Sequence, residues 1–115
     1  MIKIRTLDAI TILDLHGPLA AGPDDAALRT AVRLAFERGA TTVILNMQEV
    51  PAIDSSGVAA LASGHMAAAN HGGKLKLSNL TQKLKDVFVI MRLHTVFESY
   101  ETEAEAIASV SAQQT

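Results

Sequence analysis

The sequence predicts an α/β domain in which one mixed sheet of four to five strands packs with about four helices. Three observations point there. Short apolar runs with strand periodicity alternate with longer segments of helical periodicity. The 115 residues suffice for one compact core and leave no room for a second domain. Hydrophobic residues make up 49% of the chain with only 3% aromatic, so the core must be aliphatic and its helices can approach closely. Residues 1–110 are expected to form the domain and residues 111–115 a disordered tail.

Ile2, Ile4, Ile10 and Ile12 alternate with polar residues on either side of Leu7-Asp8, the pattern of an opening hairpin. The second strand stops at Leu15-His16-Gly17-Pro18, and Gly22-Pro23-Asp24-Asp25 starts a helix, with proline near its first turn and acidic residues at its positive end. Leu28, Ala31, Val32, Ala35 and Phe36 mark the buried stripe of that helix, Arg29, Arg33, Glu37 and Arg38 lie off it, and Gly39 ends it. Val43-Ile44-Leu45 is continuous and apolar, as in a strand deep in the sheet.

A second helix is expected from Ser55 to Asn70, with Val58, Leu61, Ala62, His65, Met66 and Ala69 on one side and His71-Gly72-Gly73 ending it. Its other side, Ala59, Ala60, Ser63 and Ala67, is small and uncharged. That bareness either reflects helix propensity or leaves room for a partner surface. Lys74-Leu75-Lys76-Leu77-Ser78 alternates as a strand, and Ser78 or Asn79 would cap a third helix through Leu80, Leu84, Val87 and Phe88. Val96 to Tyr100 reads as a short last strand, and residues 101–110 as a final helix with Ala104, Ile107 and Ala108 at helical spacing.

Several classes of function are set aside by composition. The net charge is −2, with basic residues scattered and no aromatic-and-basic stripe, so nucleic acid is not an expected partner. The absence of cysteine removes disulfides, thiolate nucleophiles and Cys-type zinc sites. No apolar run approaches the roughly 18 residues of a membrane span, and Met1-Ile2-Lys3-Ile4-Arg5 alternates where a signal peptide would be uninterrupted. A cytoplasmic protein without membrane insertion is expected.

The segment with chemical content is Ile53-Asp54-Ser55-Ser56-Gly57, between an apolar strand and an alanine-rich helix. The first N–H groups of a helix lack intrahelical partners and carry the positive end of the dipole, which suits a phosphate. Asp and Ser are also ordinary N-cap residues that satisfy the same groups. A nucleophilic serine would call for G-x-S-x-G, of which the first glycine is missing. Neither nucleotide-binding glycine motif is present. His16, His65, His71 and His94 lack metal-ligand spacing. No enzyme, cofactor or metal is therefore expected, and the serine is better read as a substrate.

With this motif, His16-Gly17-Pro18-Leu19, Val43-Ile44-Leu45-Asn46, Gly72-Gly73, Val96-Phe97 and Glu105-Ala106, the chain resembles the STAS family, specifically the bacterial anti-sigma factor antagonists. The resemblance spans nearly the whole chain and rests chiefly on the central motif. It implies a single STAS-like domain whose second motif hydroxyl, here Ser56, is phosphorylated by a partner anti-sigma factor that is also an ATP-dependent serine kinase. The unmodified antagonist binds that partner and frees the sigma factor; the phosphorylated form lets go, and a serine phosphatase resets it. Asp54, Ser55, Gly57 and Ala60 are expected at the partner surface, Gly57 leaving the kinase room, Asp54 orienting the loop, and Ser55 serving as cap or secondary contact. The family also includes stressosome scaffold subunits and small subunits of lipid-transport complexes. Most scaffold members carry an additional N-terminal domain, so the stand-alone antagonist is the leading expectation.

Overall fold

A computed structural model describes residues 2–113, excluding the side chains of Pro23, Asp24 and residues 111–113. Strands β1 (Ile2–Leu7) and β2 (Ile10–His16) form the hairpin. They are followed by α1 (Pro23–Glu37), β3 (Thr42–Glu49), α2 (Ser55–Asn70), β4 (Lys74–Ser78), α3 (Gln82–Ile90), a 3-10 turn (Leu93–Thr95), β5 (Glu98–Tyr100) and α4 (Glu103–Gln113). The sheet order is β1-β2-β3-β4-β5, antiparallel across the hairpin and parallel elsewhere. Successive right-handed crossovers along one direction of a sheet deposit their helices on one face. Accordingly α1, α2 and α3 pack on the larger core with Leu13, Val43, Leu45, Met47 and Leu77. Helix α4 instead covers Ile10, Ile12 and Ile44 on the opposite face through Ala106 and Val110. Val43, Ile44 and Leu45 are all fully buried because β3 is central and covered on both sides.

Three sequence expectations shift. Helix α3 begins at Gln82 and is capped by Thr81, whose hydroxyl accepts the Leu84 N–H at 3.2 Å. Ser78 and Asn79 cannot serve as its cap: Ser78 still belongs to β4, and Asn79 turns the chain with φ 59. The last strand begins only at Glu98, because the 3-10 turn carries the chain to Thr95. Helix α4 continues through Gln113, so residues 111–113 are not a tail; residues 114–115 lie outside those described.

The buried face of α2 also differs from expectation. Gly57, Ala60, Leu61, Gly64 and Ala68 face the core, whereas Ala62, His65, Met66 and Ala69 are exposed. Small residues there let α2 approach α1 and the sheet; a Cβ on Gly64 would lie 3.2 Å from Leu75 and 3.5 Å from Val32.

Lys76 is fully buried beneath α4. Its Nζ donates to Ser109 Oγ at 2.9 Å, pairs with Glu98 at 3.0 Å and lies 5.5 Å from the Tyr100 ring centroid. Burial pushes the Glu98 carboxyl up, but the hydrogen bond and charge of Lys76 outweigh it and hold the group below the usual carboxylate range. Glu98 keeps access to water, so removing its partner does not strand a buried charge. Lys76→Met, which conserves volume, is expected to change stability by less than about 1.5 kcal/mol, while Lys76→Ala should cost about 2–3 kcal/mol by leaving a cavity. Urea denaturation of the two variants checks this.

Candidate functional site

The turn between β3 and α2 is held by main-chain contacts from the loop after β2. Leu19 N–H donates to Ala52 C=O at 2.9 Å, and Asp54 N–H donates to Leu19 C=O at 3.2 Å. Leu19 and Ile53 thereby form an isolated parallel bridge between the two loops. Leu19 is only 4% exposed, so its side chain anchors the loop in the core while its backbone fixes the turn.

Asp54 is the N-cap of α2, with extended backbone at φ −109 and ψ −174. Its Oδ1 accepts the Gly57 N–H at 2.9 Å and its Oδ2 the Ala21 N–H at 3.3 Å. The Gly57 amide, outweighing partial desolvation and helped by the Ala21 and Ser56 amides, holds the Asp54 carboxyl below the usual carboxylate range. Ser55, expected to serve as cap, is instead the first helical residue. A residue already helical cannot turn its hydroxyl back to the free N–H groups ahead of it, so the cap passes to Asp54.

Ser55 is exposed and Ser56, one position further, is partly exposed. Neither hydroxyl has a hydrogen-bond partner among the described residues. Both stand on the first turn of a sixteen-residue helix whose dipole favours negative charge.

Gly57 is buried and has a different role from the one expected. A Cβ there would lie 2.1 Å from Leu19 O and 2.7 Å from Ile53 Cγ1. The place a side chain would take is filled by Leu19 and Ile53, so glycine is needed here for the close approach of the two loops. Ala60, expected at the partner surface, is 1% exposed and sits in the core. The structure therefore brings Asp54, Ser55 and Ser56 together at the surface, makes Gly57 their support, and removes Ala60 from the site. Leu19 and Ala21 were not anticipated as supports, since a backbone carbonyl or amide acting across two loops leaves no side-chain signature.

A family model for the STAS domain matches residues 1–106. The chain belongs to the STAS domain family. Among solved structures, this STAS domain is similar to a putative anti-sigma factor antagonist from Thermotoga maritima, at 20% identity over 96% of this chain and 94% of that one, with a TM-score of 0.87. It is similar also to the anti-sigma factor antagonist SpoIIAA in its unphosphorylated form, at 24% identity, 96% and 98% coverage and TM-score 0.75. The phosphorylated form of SpoIIAA, a Bacillus cell fate determinant, matches at 25% identity, 96% and 99% coverage and TM-score 0.72. A sulfate transporter family protein from Wolinella succinogenes matches at 21% identity over 90% and 86%, with TM-score 0.80. At these identities the likeness is one of fold. No curated protein matches the chain by sequence.

In this STAS domain the two loops that meet at Leu19 and Ile53 leave the carboxyl ends of β2 and β3, where open α/β sheets place their ligand contacts. Among the described residues no helix is long and apolar enough to cross a membrane, and no group of three His, Asp or Glu residues could hold a metal ion.

Proposed function

We propose that this STAS domain is a phosphorylation-switched binding regulator acting in the cytoplasm. Unphosphorylated, it binds an anti-sigma factor that is also a serine kinase and so releases the sigma factor; phosphate on Ser56 ends the complex, and a serine phosphatase restores it. Ser56 acts as a substrate and the domain performs no catalysis of its own. The observation that carries this reading is the Ser56 hydroxyl, unengaged on the first turn of α2 in a loop fixed by Asp54 and Leu19. The solved phosphorylated and unphosphorylated forms of SpoIIAA support it by analogy.

Phosphate would bring about −1.5 to −2 charge to the helix N-terminus. The dipole offsets this by roughly 0.3–2 kcal/mol, against repulsion from the Asp54 carboxylate, so the fold should be little disturbed. A partner seated over the turn would bury that charge unpaired at a cost of several kcal/mol, on the order of a hundredfold or more in affinity.

Incubation with ATP and the kinase-type anti-sigma factor encoded nearest its gene should add one phosphate, lost in Ser56→Ala. Ser56→Asp should weaken the complex on the order of a hundredfold with nearly unchanged Tm. Phosphate on another residue, or a Ser56→Asp domain that does not fold, would sink the reading.

A second reading is a subunit of a larger assembly. It is favoured by the exposed side chains at the end of α3 and beyond, with Ile90 80%, Val89 57% and Val96 53% accessible. Light scattering on size-fractionated native extracts would then place the protein in a large particle, unaffected by Ser56→Ala.

A further inference from the structure

We propose that the cleft between the β hairpin and the last turns of α1 binds a free aliphatic amino acid such as leucine. The cleft encloses about 220 Å³ and is divided along its length. One part is aliphatic, walled by Ile4 and Leu13 from the hairpin and by Ala31, Leu34 and Ala35 from α1. The other part lies toward the β1–β2 turn and the end of α1, and is lined by Thr6, Asp8, Thr11 and Arg38.

The division follows from the register of the hairpin. Ile4 stands opposite Leu13 and Thr6 opposite Thr11, so on the face that α1 covers an apolar pair is followed by a pair of hydroxyls. Helix α1 runs back over these pairs, Ala31 to Arg38 spanning roughly 10 Å. Its end is tied to the turn, where the Thr41 N–H donates to the Ala9 C=O at 2.9 Å.

Two observations in the polar part point to a ligand. Thr11 is only 7% exposed, yet its hydroxyl has no hydrogen-bond partner among the described residues. Buried polar groups are ordinarily paired. Arg38 and Asp8, of opposite charge, line the same space, and neither side chain pairs with the other or with any described residue. In the aliphatic part, Ile4 is left 57% exposed at the lip.

These charges select the occupant. An anion alone would meet Asp8 and the negative end of the α1 dipole, and a cation alone would meet Arg38. A zwitterion suits both: its carboxylate takes Arg38 and the Thr11 hydroxyl through charge-assisted hydrogen bonds, and its ammonium takes Asp8. Its side chain then lies along Leu13, Ala31 and Leu34 and covers Ile4. A polar side chain would lose its hydration there without gaining a partner, which restricts the site to aliphatic residues. The volume holds one such molecule and not a chain of them.

The test is an NMR titration of isotope-labelled full-length protein with L-leucine. Amide shifts in residues 4–13 and 31–40 are expected, saturating with a Kd of about 1 mM or tighter. Isocaproate, which lacks the ammonium, and isoamylamine, which lacks the carboxylate, should each bind at least about tenfold more weakly, and glycine should not bind. Arg38→Gln and Asp8→Asn should each weaken leucine binding about tenfold. Both positions are exposed, and asparagine tolerates the left-handed conformation that Asp8 holds at φ 53, so the fold is kept. No saturable shift at leucine concentrations on the order of 10 mM, shifts elsewhere, isocaproate or isoamylamine equal to leucine, or unaltered binding in both variants would each overturn the proposal. So would concentration-dependent shifts of the cleft without leucine, which would make its occupant a second copy of the chain. Ser56→Asp is expected to bind leucine unchanged, because Ala21 and the Ser56 turn lie at the other end of the fifteen-residue α1, roughly 20 Å away. The site therefore stands or falls independently of the phosphorylation switch.

Discussion

Gly57→Ala is expected to destabilise the domain by about 3 kcal/mol or more, among the largest effects a single methyl can have here. The added carbon would stand 2.1 Å from Leu19 O and 2.9 Å from Leu19 C, both backbone atoms, and 2.7 Å from Ile53 Cγ1. A flexible side chain could swing away, but a main chain pinned by hydrogen bonds to Ala52 and Asp54 cannot move without breaking them. Urea denaturation measures the loss. Gly64→Ala provides the contrast: its new carbon meets only side-chain atoms, the nearest Leu75 Cδ2 at 3.2 Å, so it should cost clearly less. If the two variants are equally stable, the close approach of Leu19 is not what requires glycine. If the proposed switch is correct, phosphorylation of Ser56 in the folded fraction of Gly57→Ala should slow as well, because the turn that presents the hydroxyl has been displaced.

The second large effect concerns acid. Asp14 accepts two hydrogen bonds from Arg5, at 2.7 and 2.8 Å, and one from Asn46 Nδ2 at 2.8 Å, with its side chain only 14% exposed. The Arg5 hydrogen bonds, outweighing desolvation and joined by Asn46, hold its carboxyl below the usual range. A depressed carboxylate pKa means that the unfolded chain binds the proton more readily. The stabilisation is therefore complete above the unfolded value of about 3.9 and is lost as pH falls through the lower folded value. Asp54 and Glu98, lowered by their own partners, act in the same direction. Stability should thus be flat from neutrality to about pH 5 and fall steeply below about pH 4. Asp14→Ala should cost about 2–3 kcal/mol at neutral pH, since Arg5 and Asn46 lose their shared acceptor, and should flatten the acid limb. Urea midpoints measured across pH for both proteins test this, and an acid limb of unchanged steepness would exclude Asp14 as its source.

Much of the fold was legible because its signals are carried by residues of strong hydropathy. The hairpin, the α1 stripe of Leu28, Val32 and Phe36, and the buried β3 run all appear where their periodicity places them. The orientation of α2 did not, and the reason is physical. Its core face is built mainly from glycine and alanine, which carry almost no hydropathy, so Val58 and Met66 outweighed it in the pattern. The same blindness put Ala60 at the surface. Lys76 is hidden for the converse reason, since a lysine in an alternating strand reads as solvated until a helix from far along the chain covers it. At the site, the motif located the turn and its hydroxyls. The cap on Asp54 and the close approach to Gly57 depend on a loop more than thirty residues away, as the Ala21–Asp54 bond shows.

The contact between Arg5 and Glu103 joins residues 98 positions apart. Helix α4 begins at that glutamate and is what shields Ile10, Ile12 and Ile44. During synthesis this aliphatic strip must wait bare until α4 itself has been made, because loop closure over such a separation comes late. The nascent chain thus carries a sticky surface until then, and anything that delays the docking of α4 would leave the hairpin as the first place where newly made molecules clump.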